Sequence, residues 1–125
     1  MKTIIKVKEA AQPVGPYNQA IKAGNLVFTA GQIALNKNGE IVGTDAGAQT
    51  KQIFENLKLI LKEAGSSLEK VIKTTVFLTD IKDFSVMNEI YGQFFVKEFP
   101  ARSTVEVSHL PKNAKVEIEA IATID

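Results

Sequence analysis

Arg102 and Glu117 are the side chains whose type and setting point most directly to chemistry. Each lies in a run that alternates with the period of two of a half-buried strand. In Pro100–Ser108, Arg102, Thr104 and Glu106 share one face, opposite Ser103, Val105 and Val107. In Lys115–Ile124, Val116, Ile118, Ala120, Ala122 and Ile124 share one face, and Lys115, Glu117 and Glu119 the other. A hairpin through the loop Leu110–Asn113 would set the arginine and the carboxylates on one sheet surface. A guanidinium fork grips a small carboxylate through two parallel hydrogen bonds, and a nearby carboxylate can take a proton and return it. The same pattern also describes a solvated face on which Arg102 pairs with Glu106 or Glu119.

Hairpin geometry leaves a gap between the two groups. With Ser108 opposite Lys115, Glu117 faces Glu106, and Arg102 lies four residues, roughly 13 Å of strand, further along. Long side chains, a bulge, or a second subunit are each ways to close it. Two glutamates facing each other would raise the pKa of one, as a general base requires.

Composition narrows the function classes. The 125 residues carry no cysteine, which excludes disulfides, thiolate nucleophiles and Cys-based metal sites. The single His109 leaves no His-cluster metal site, and a Ser-His-Asp triad would have to be built on that one residue, which nothing in the sequence supports. Fifteen basic against fourteen acidic side chains give a formal net charge of +1, where a protein gripping phosphates carries a basic excess. Nucleic acid is therefore a disfavoured partner. No apolar run approaches the roughly 18 residues of a membrane span, and Met1–Glu9 alternates charge with apolar residues instead of forming a signal-peptide core. A soluble cytoplasmic protein, one domain over residues 1–125, fits this balance.

The elements that must position these groups follow from periodicity. Residues 2–7 read as a short strand, and the two prolines and glycine of Ala11–Tyr17 as a loop. A strand over Ala20–Ala23 turns at Gly24-Asn25 into a return strand over Leu26–Leu35. Gly31 inside that return strand signals a bulge or a close approach by a ligand. Ile53, Phe54, Leu57, Ile60, Leu61 and Ala64 fall at helical spacing, with Thr44 or Asp45 as N-cap and Gly65 past the end. Val71–Leu78 is β-branched, with apolar or Thr side chains on both faces, as a central strand requires. Asp83 is positioned to cap a second helix with Phe84, Met87, Tyr91, Phe94 and Phe95 on one side, a stripe suited to a core.

The order is thus that of an α+β domain with two helices and about six strands. Two helices cover one sheet face. The other face has few polar residues in its central strands and no element left to cover it, which points to a homo-oligomer.

Pro100-Ala-Arg-Ser, Val105-Glu-Val, Leu110-Pro-Lys and Val116-Glu-Ile-Glu-Ala-Ile-Ala resemble the C-terminal signature of the Rid family (reactive intermediate deaminase, also called YjgF or RutC). Upstream, Gly15-Pro-Tyr, Ala30-Gly-Gln and Val71-Ile-Lys-Thr-Thr-Val-Phe continue the resemblance, which spans nearly the whole chain. It implies a chorismate-mutase-like, YjgF-type fold: a mixed sheet of about six strands with two helices on one face, assembled as a homotrimer with sites in the clefts between subunits. It also implies hydrolytic deamination of 2-imino or enamine acids, such as 2-iminopropanoate and 2-iminobutanoate, to 2-keto acids and ammonia. No cofactor or metal is implied.

Residue by residue, the resemblance makes Arg102 the grip on the substrate carboxylate and Glu117 the catalytic carboxylate that positions the attacking water. Tyr17, Asn88, Thr104 through its main chain, and Gly31 become substrate-binding residues. The chain departs from the family in having Ala30 where Ser is common and Thr104 where Cys is common, changes that bear on substrate preference and rate. Two rivals stand beside the deaminase: a non-catalytic small-molecule-binding regulatory module, and a ribonuclease or translation inhibitor. Neutral charge and the absence of a His pair weigh against the last.

Overall fold

The computed structural model describes residues 1–125. Its strands are β1 (Lys2–Ile5), β2 (Ala20–Ala23), β3 (Leu26–Thr29), β4 (Val71–Leu78), β5 (Ala101–Glu106) and β6 (Val116–Thr123). Its helices are α1 (Ala46–Glu63) and α2 (Phe84–Phe94). The strands form one mixed sheet in the order β1-β2-β3-β6-β4-β5. Every neighbouring pair is antiparallel except β4 and β5, which run parallel.

The parallel pair follows from α2. A helical crossover between two strands returns the chain in its original direction, so β5 lies alongside β4 with Thr74 opposite Arg102 and Leu78 opposite Glu106. The hairpin expected between β5 and β6 does not form. β4 lies between them, pairing with β5 on one edge and with β6 on the other. The physical reason is in β4 itself: a strand apolar on both faces belongs in mid-sheet with both edges hydrogen-bonded.

α1 begins where expected, with Asp45 accepting from the Ala48 N–H at 2.8 Å. It ends at Gly65, whose φ of +83° lets Ser66 donate back to the Leu61 carbonyl at 2.8 Å. The cap of α2 differs from expectation. Asp83 makes no side-chain capping bond, and a single 3-10 turn over Ile81–Asp83 precedes the helix. Asp80 takes the capping role instead, accepting from the Lys82 N–H at 2.9 Å.

Both helices pack on one face of the sheet. Ile53, Phe54, Leu57, Ile60 and Leu61 of α1 and Met87 and Tyr91 of α2 bury against Val27, Val76, Leu78, Val116 and Ile118. Phe54 is the hub, edge-on to Tyr91 at 5.5 Å and stacked on Phe94 at 4.8 Å between ring centroids. The other face is bare, as the strand patterns require. It carries Ile4 (50% exposed), Phe28 (42%) and Val105 (44%).

The return strand is shorter than its sequence implies. β3 stops at Thr29, and the chain continues beside β6 through a single bridge in which Gln32 and Ile118 exchange backbone hydrogen bonds of 2.8 and 3.0 Å. This break carries Gly31 to Glu117.

Candidate active site

β6 presents Val116, Ile118, Ala120 and Ala122 to the helices, which leaves Glu117 and Glu119 on the bare face. Glu117 pairs with Phe77, and Glu119 with Thr75. Half-buried, Glu117 has its carboxyl held above the ordinary 4.5, first by loss of water and then by the neighbouring Glu119 charge. The expected partner for this effect, Glu106, is elsewhere; its carboxylate accepts from the Ile81 N–H at 2.8 Å.

Glu117 lies against the backbone of Gly31. A methyl group there would come within 2.8 Å of the Glu117 carboxyl carbon and closer still to one oxygen. The glycine therefore accommodates the catalytic candidate itself. Beyond the two residues opens a cavity of about 230 Å³, walled by Tyr17, Gln12, Ile33, Leu35, Pro111 and Lys112. Its volume suits a ligand of a few heavy atoms, and its lining mixes aliphatic surface with side-chain amides.

The cavity walls are held by Gln19, which the sequence did not single out, together with Tyr17 and Lys112. Gln19 is 2% exposed, and its side-chain amide clamps the preceding loop. Its oxygen accepts from the Val7 N–H at 2.7 Å, while its nitrogen donates to the Val7 and Ala11 carbonyls at 3.0 and 2.8 Å. Tyr17 is about half exposed at the rim, its hydroxyl accepting from the Val14 N–H at 3.2 Å. Lys112 and Asn113 have φ of 55° and 56°, and Lys112 donates to the Gly39 carbonyl at 2.7 Å, fixing the turn that carries Pro111. The one sequence hint of Gln19 is a polar, uncharged residue entering an apolar strand. Lys112 stands in the Leu110-Pro-Lys motif, but its bond to Gly39 has no local signal.

Arg102 is not in this cavity. In register with Thr74, it belongs to the helix side of the sheet, whereas Glu117, in register with Phe77, belongs to the bare side. The expectation of one surface carrying both is corrected: one chain presents them on opposite faces, because β4 separates their strands and their partners on it, Thr74 and Phe77, lie an odd three positions apart. Glu106, expected beside Arg102, is engaged by Ile81, and the single ion pair of the chain is Lys58–Glu55 at 3.7 Å. Arg102 has no carboxylate partner. Its guanidinium lies over the rings of Tyr91 (4.7 Å) and Phe84 (5.5 Å).

Arg102 borders a shallow depression with Asn88, Gly92, Phe99 and Pro100. Two polar atoms nearby in the fold, Asn88 Oδ1 on α2 and Thr104 Oγ1 two residues along β5, are buried with no hydrogen-bond partner. Such atoms are costly unless something else satisfies them. The expected residues thus fall into two groups: Glu117, Gly31 and Tyr17 around the cavity, and Arg102, Asn88 and Thr104 on the α2–β5 side.

No helix is long and apolar enough to cross a membrane. The protein family described as Endoribonuclease L-PSP matches residues 7–124. A RutC family protein of Pyrococcus horikoshii is 55% identical over 123 residues, covering 98% of each chain. A 2-iminobutanoate/2-iminopropanoate deaminase of Dermatophagoides farinae is 42% identical over 125 residues, covering 99% of this chain and 98% of that one. Among solved structures, E. coli TdcF with bound serine superposes with a TM-score of 0.93 at 44% identity, over 98% of this chain and 99% of that one. Sequence match and fold agree along nearly the whole length, and the chain belongs to the Rid family, also known as YjgF or RutC.

Proposed function

We propose that this protein hydrolyses small 2-imino acids, such as 2-iminopropanoate and 2-iminobutanoate, to 2-keto acids and ammonia. The observation that carries this reading is the half-buried Glu117, its pKa raised, at the wall of a cavity sized for a few heavy atoms. A carboxylate tuned toward neutrality takes a proton from water and can hand it on. Water oxygen bonds to the imine carbon as Glu117 removes its proton. The imine nitrogen takes that proton to give a carbinolamine; Glu117 then carries the hydroxyl proton to the amino nitrogen, the carbon–nitrogen bond breaks to release ammonia, and the carbon–oxygen double bond closes. The overall balance is imine plus water to ketone plus ammonia, with no redox change. The deaminase named among the relatives and the amino acid bound to the TdcF fold support the same substrate class.

In this reading Arg102 grips the substrate carboxylate, and Asn88 and Thr104 line that end. Tyr17 and Gly31 border the end where Glu117 works. Since one chain holds the two groups on opposite faces, a site containing both draws Arg102 from one copy and Glu117 from another. The bare face, with Ile4, Phe28 and Val105 exposed on it, gives the copies a surface to meet on. We assign the assembly as a homotrimer with three intersubunit sites.

The test supplies 2-imino acid from a threonine or serine dehydratase and times keto-acid release with and without this protein. Release well above the spontaneous rate is expected, with light scattering reporting a trimer. Release at the spontaneous rate, or a clean monomer at micromolar concentration, would overturn the reading. The family description favours a ribonuclease as second reading. Under it, RNA binding would fall steeply with salt.

A further inference from the structure

Arg102 is the one arginine of the chain, and it is held by rings instead of by a carboxylate. Tyr91 is the larger part of that support. Its ring centroid lies 4.7 Å from the guanidinium carbon, nearer than Phe84 at 5.5 Å. Tyr91 is also locked in place. It is 4% exposed, packs against Phe95 at 4.8 Å and Phe54 at 5.5 Å, and its hydroxyl shares a 2.7 Å hydrogen bond with Thr74 Oγ1. Thr74 is in turn the register partner of Arg102 on the adjacent strand. Three elements, β4, α2 and β5, therefore meet in one Thr74–Tyr91–Arg102 triangle.

This arrangement has a consequence for binding. A carboxylate partner would occupy the N–H edge of the guanidinium. A neutral ring beside the guanidinium attracts it by the ring quadrupole and does not occupy its fork as a carboxylate would. We infer that Tyr91 is a positioning residue: its ring, packed against Phe54 and Phe95, holds the Arg102 guanidinium in place so that the fork meets an anionic ligand without reorganising. The inference rests on the reading of Arg102 as the carboxylate grip. Burial raises the pKa of the phenol, against the lowering effect of Thr74 and Arg102, so the platform is a neutral ring at physiological pH. Phe99 and Pro100 border the same depression, which gives the ligand end an apolar rim.

The test measures pyruvate binding by calorimetry and the proton shifts of the Arg102 side chain by NMR, assigned through their loss in Arg102→Lys. In the wild-type protein the Arg102 δ and ε protons are expected upfield, shifted by the ring beneath them. Tyr91→Phe keeps the ring, so the upfield shift should persist and pyruvate affinity should stay within about threefold. Tyr91→Leu removes it, and affinity should fall about tenfold while the trimer is retained. Unshifted Arg102 protons in the wild type would overturn the inference without any variant, so it stays testable if Tyr91→Leu does not fold. Wild-type affinity in folded Tyr91→Leu would overturn it, as would equal losses in both variants, which would place the effect in the hydroxyl. The functional reading fails separately: pyruvate binding without imine turnover sinks the deaminase and leaves the platform standing. No pyruvate binding at all sinks the carboxylate grip and leaves the ring shifts to decide the platform.

Discussion

Glu117 rests on Gly31 at a distance that leaves no room for a Cβ. Two residues from different elements, one in the break after β3 and one in β6, thus share a single contact, and the smaller sets where the larger can lie. Gly31 has no positive φ to forbid another residue, so the constraint is steric alone.

Gly31→Ala separates position from fold. The clash is with the end of a side chain that can swing away, so the variant should fold, losing about 1 kcal/mol to overpacking. The displaced carboxylate should cost at least about tenfold in turnover of 2-imino acids. Unchanged turnover, measured beside the urea midpoint on one preparation, would show that Glu117 need not occupy its present place.

The raised pKa of Glu117 sets the sign of two pH dependences. As a base it must be ionised, so turnover should fall on acidification from a pH above the ordinary glutamate value of 4.5. For stability, the folded state holds its proton more tightly than the unfolded chain. Stability should therefore decline as pH rises from 4.5 to the folded-state value, then level off. Glu117→Gln should abolish that decline and cut turnover about 10²-fold or more. A variant that keeps wild-type turnover would reduce Glu117 to a half-buried strand carboxylate.

Arg102→Lys keeps the charge and loses the planar fork. Turnover should drop steeply for every 2-imino acid, and pyruvate should bind more weakly, by part of the about 2–5 kcal/mol typical of losing one partner of a desolvated charge-assisted bond. Melting behaviour should change little, because no carboxylate in the chain pairs with Arg102. A large fall in melting temperature with activity per folded protein intact would make Arg102 a structural residue.

Gln19→Ala tests the cavity wall. It leaves the Val7 N–H and the Ala11 carbonyl without their side-chain partner in a buried setting. Stability should fall by about 1–3 kcal/mol, read from the urea midpoint, with the Michaelis constant raised as the loop carrying Tyr17 loosens. A variant as stable as wild type would show that water replaces the amide.

Periodicity alone determined much of this protein. Alternation in Lys115–Ile124 assigned Glu117 to the face away from the core, the apolar spacing of Ile53 to Leu61 defined α1, and β4 announced itself as central by being apolar on both sides. These are local properties, set by which side chains must leave water, and they survive in any arrangement that buries the same faces. The resemblance through the Pro100-Ala-Arg-Ser and Val116-Glu-Ile-Glu-Ala motifs pointed to the right family from the same letters. Which strand neighbours which is not local. The short connection between β5 and β6 suits a hairpin, and only competition for the edges of β4 excludes it. That one pairing moved Arg102 and Glu117 to opposite faces, took Glu106 away from both, and set Arg102 on the ring of Tyr91. The clamping role of Gln19 and the bond of Lys112 to Gly39 were invisible for the same reason: the partners, Val7, Ala11 and Gly39, are brought to them by the fold, and hydrogen bonds across such separations leave no periodic trace in the chain.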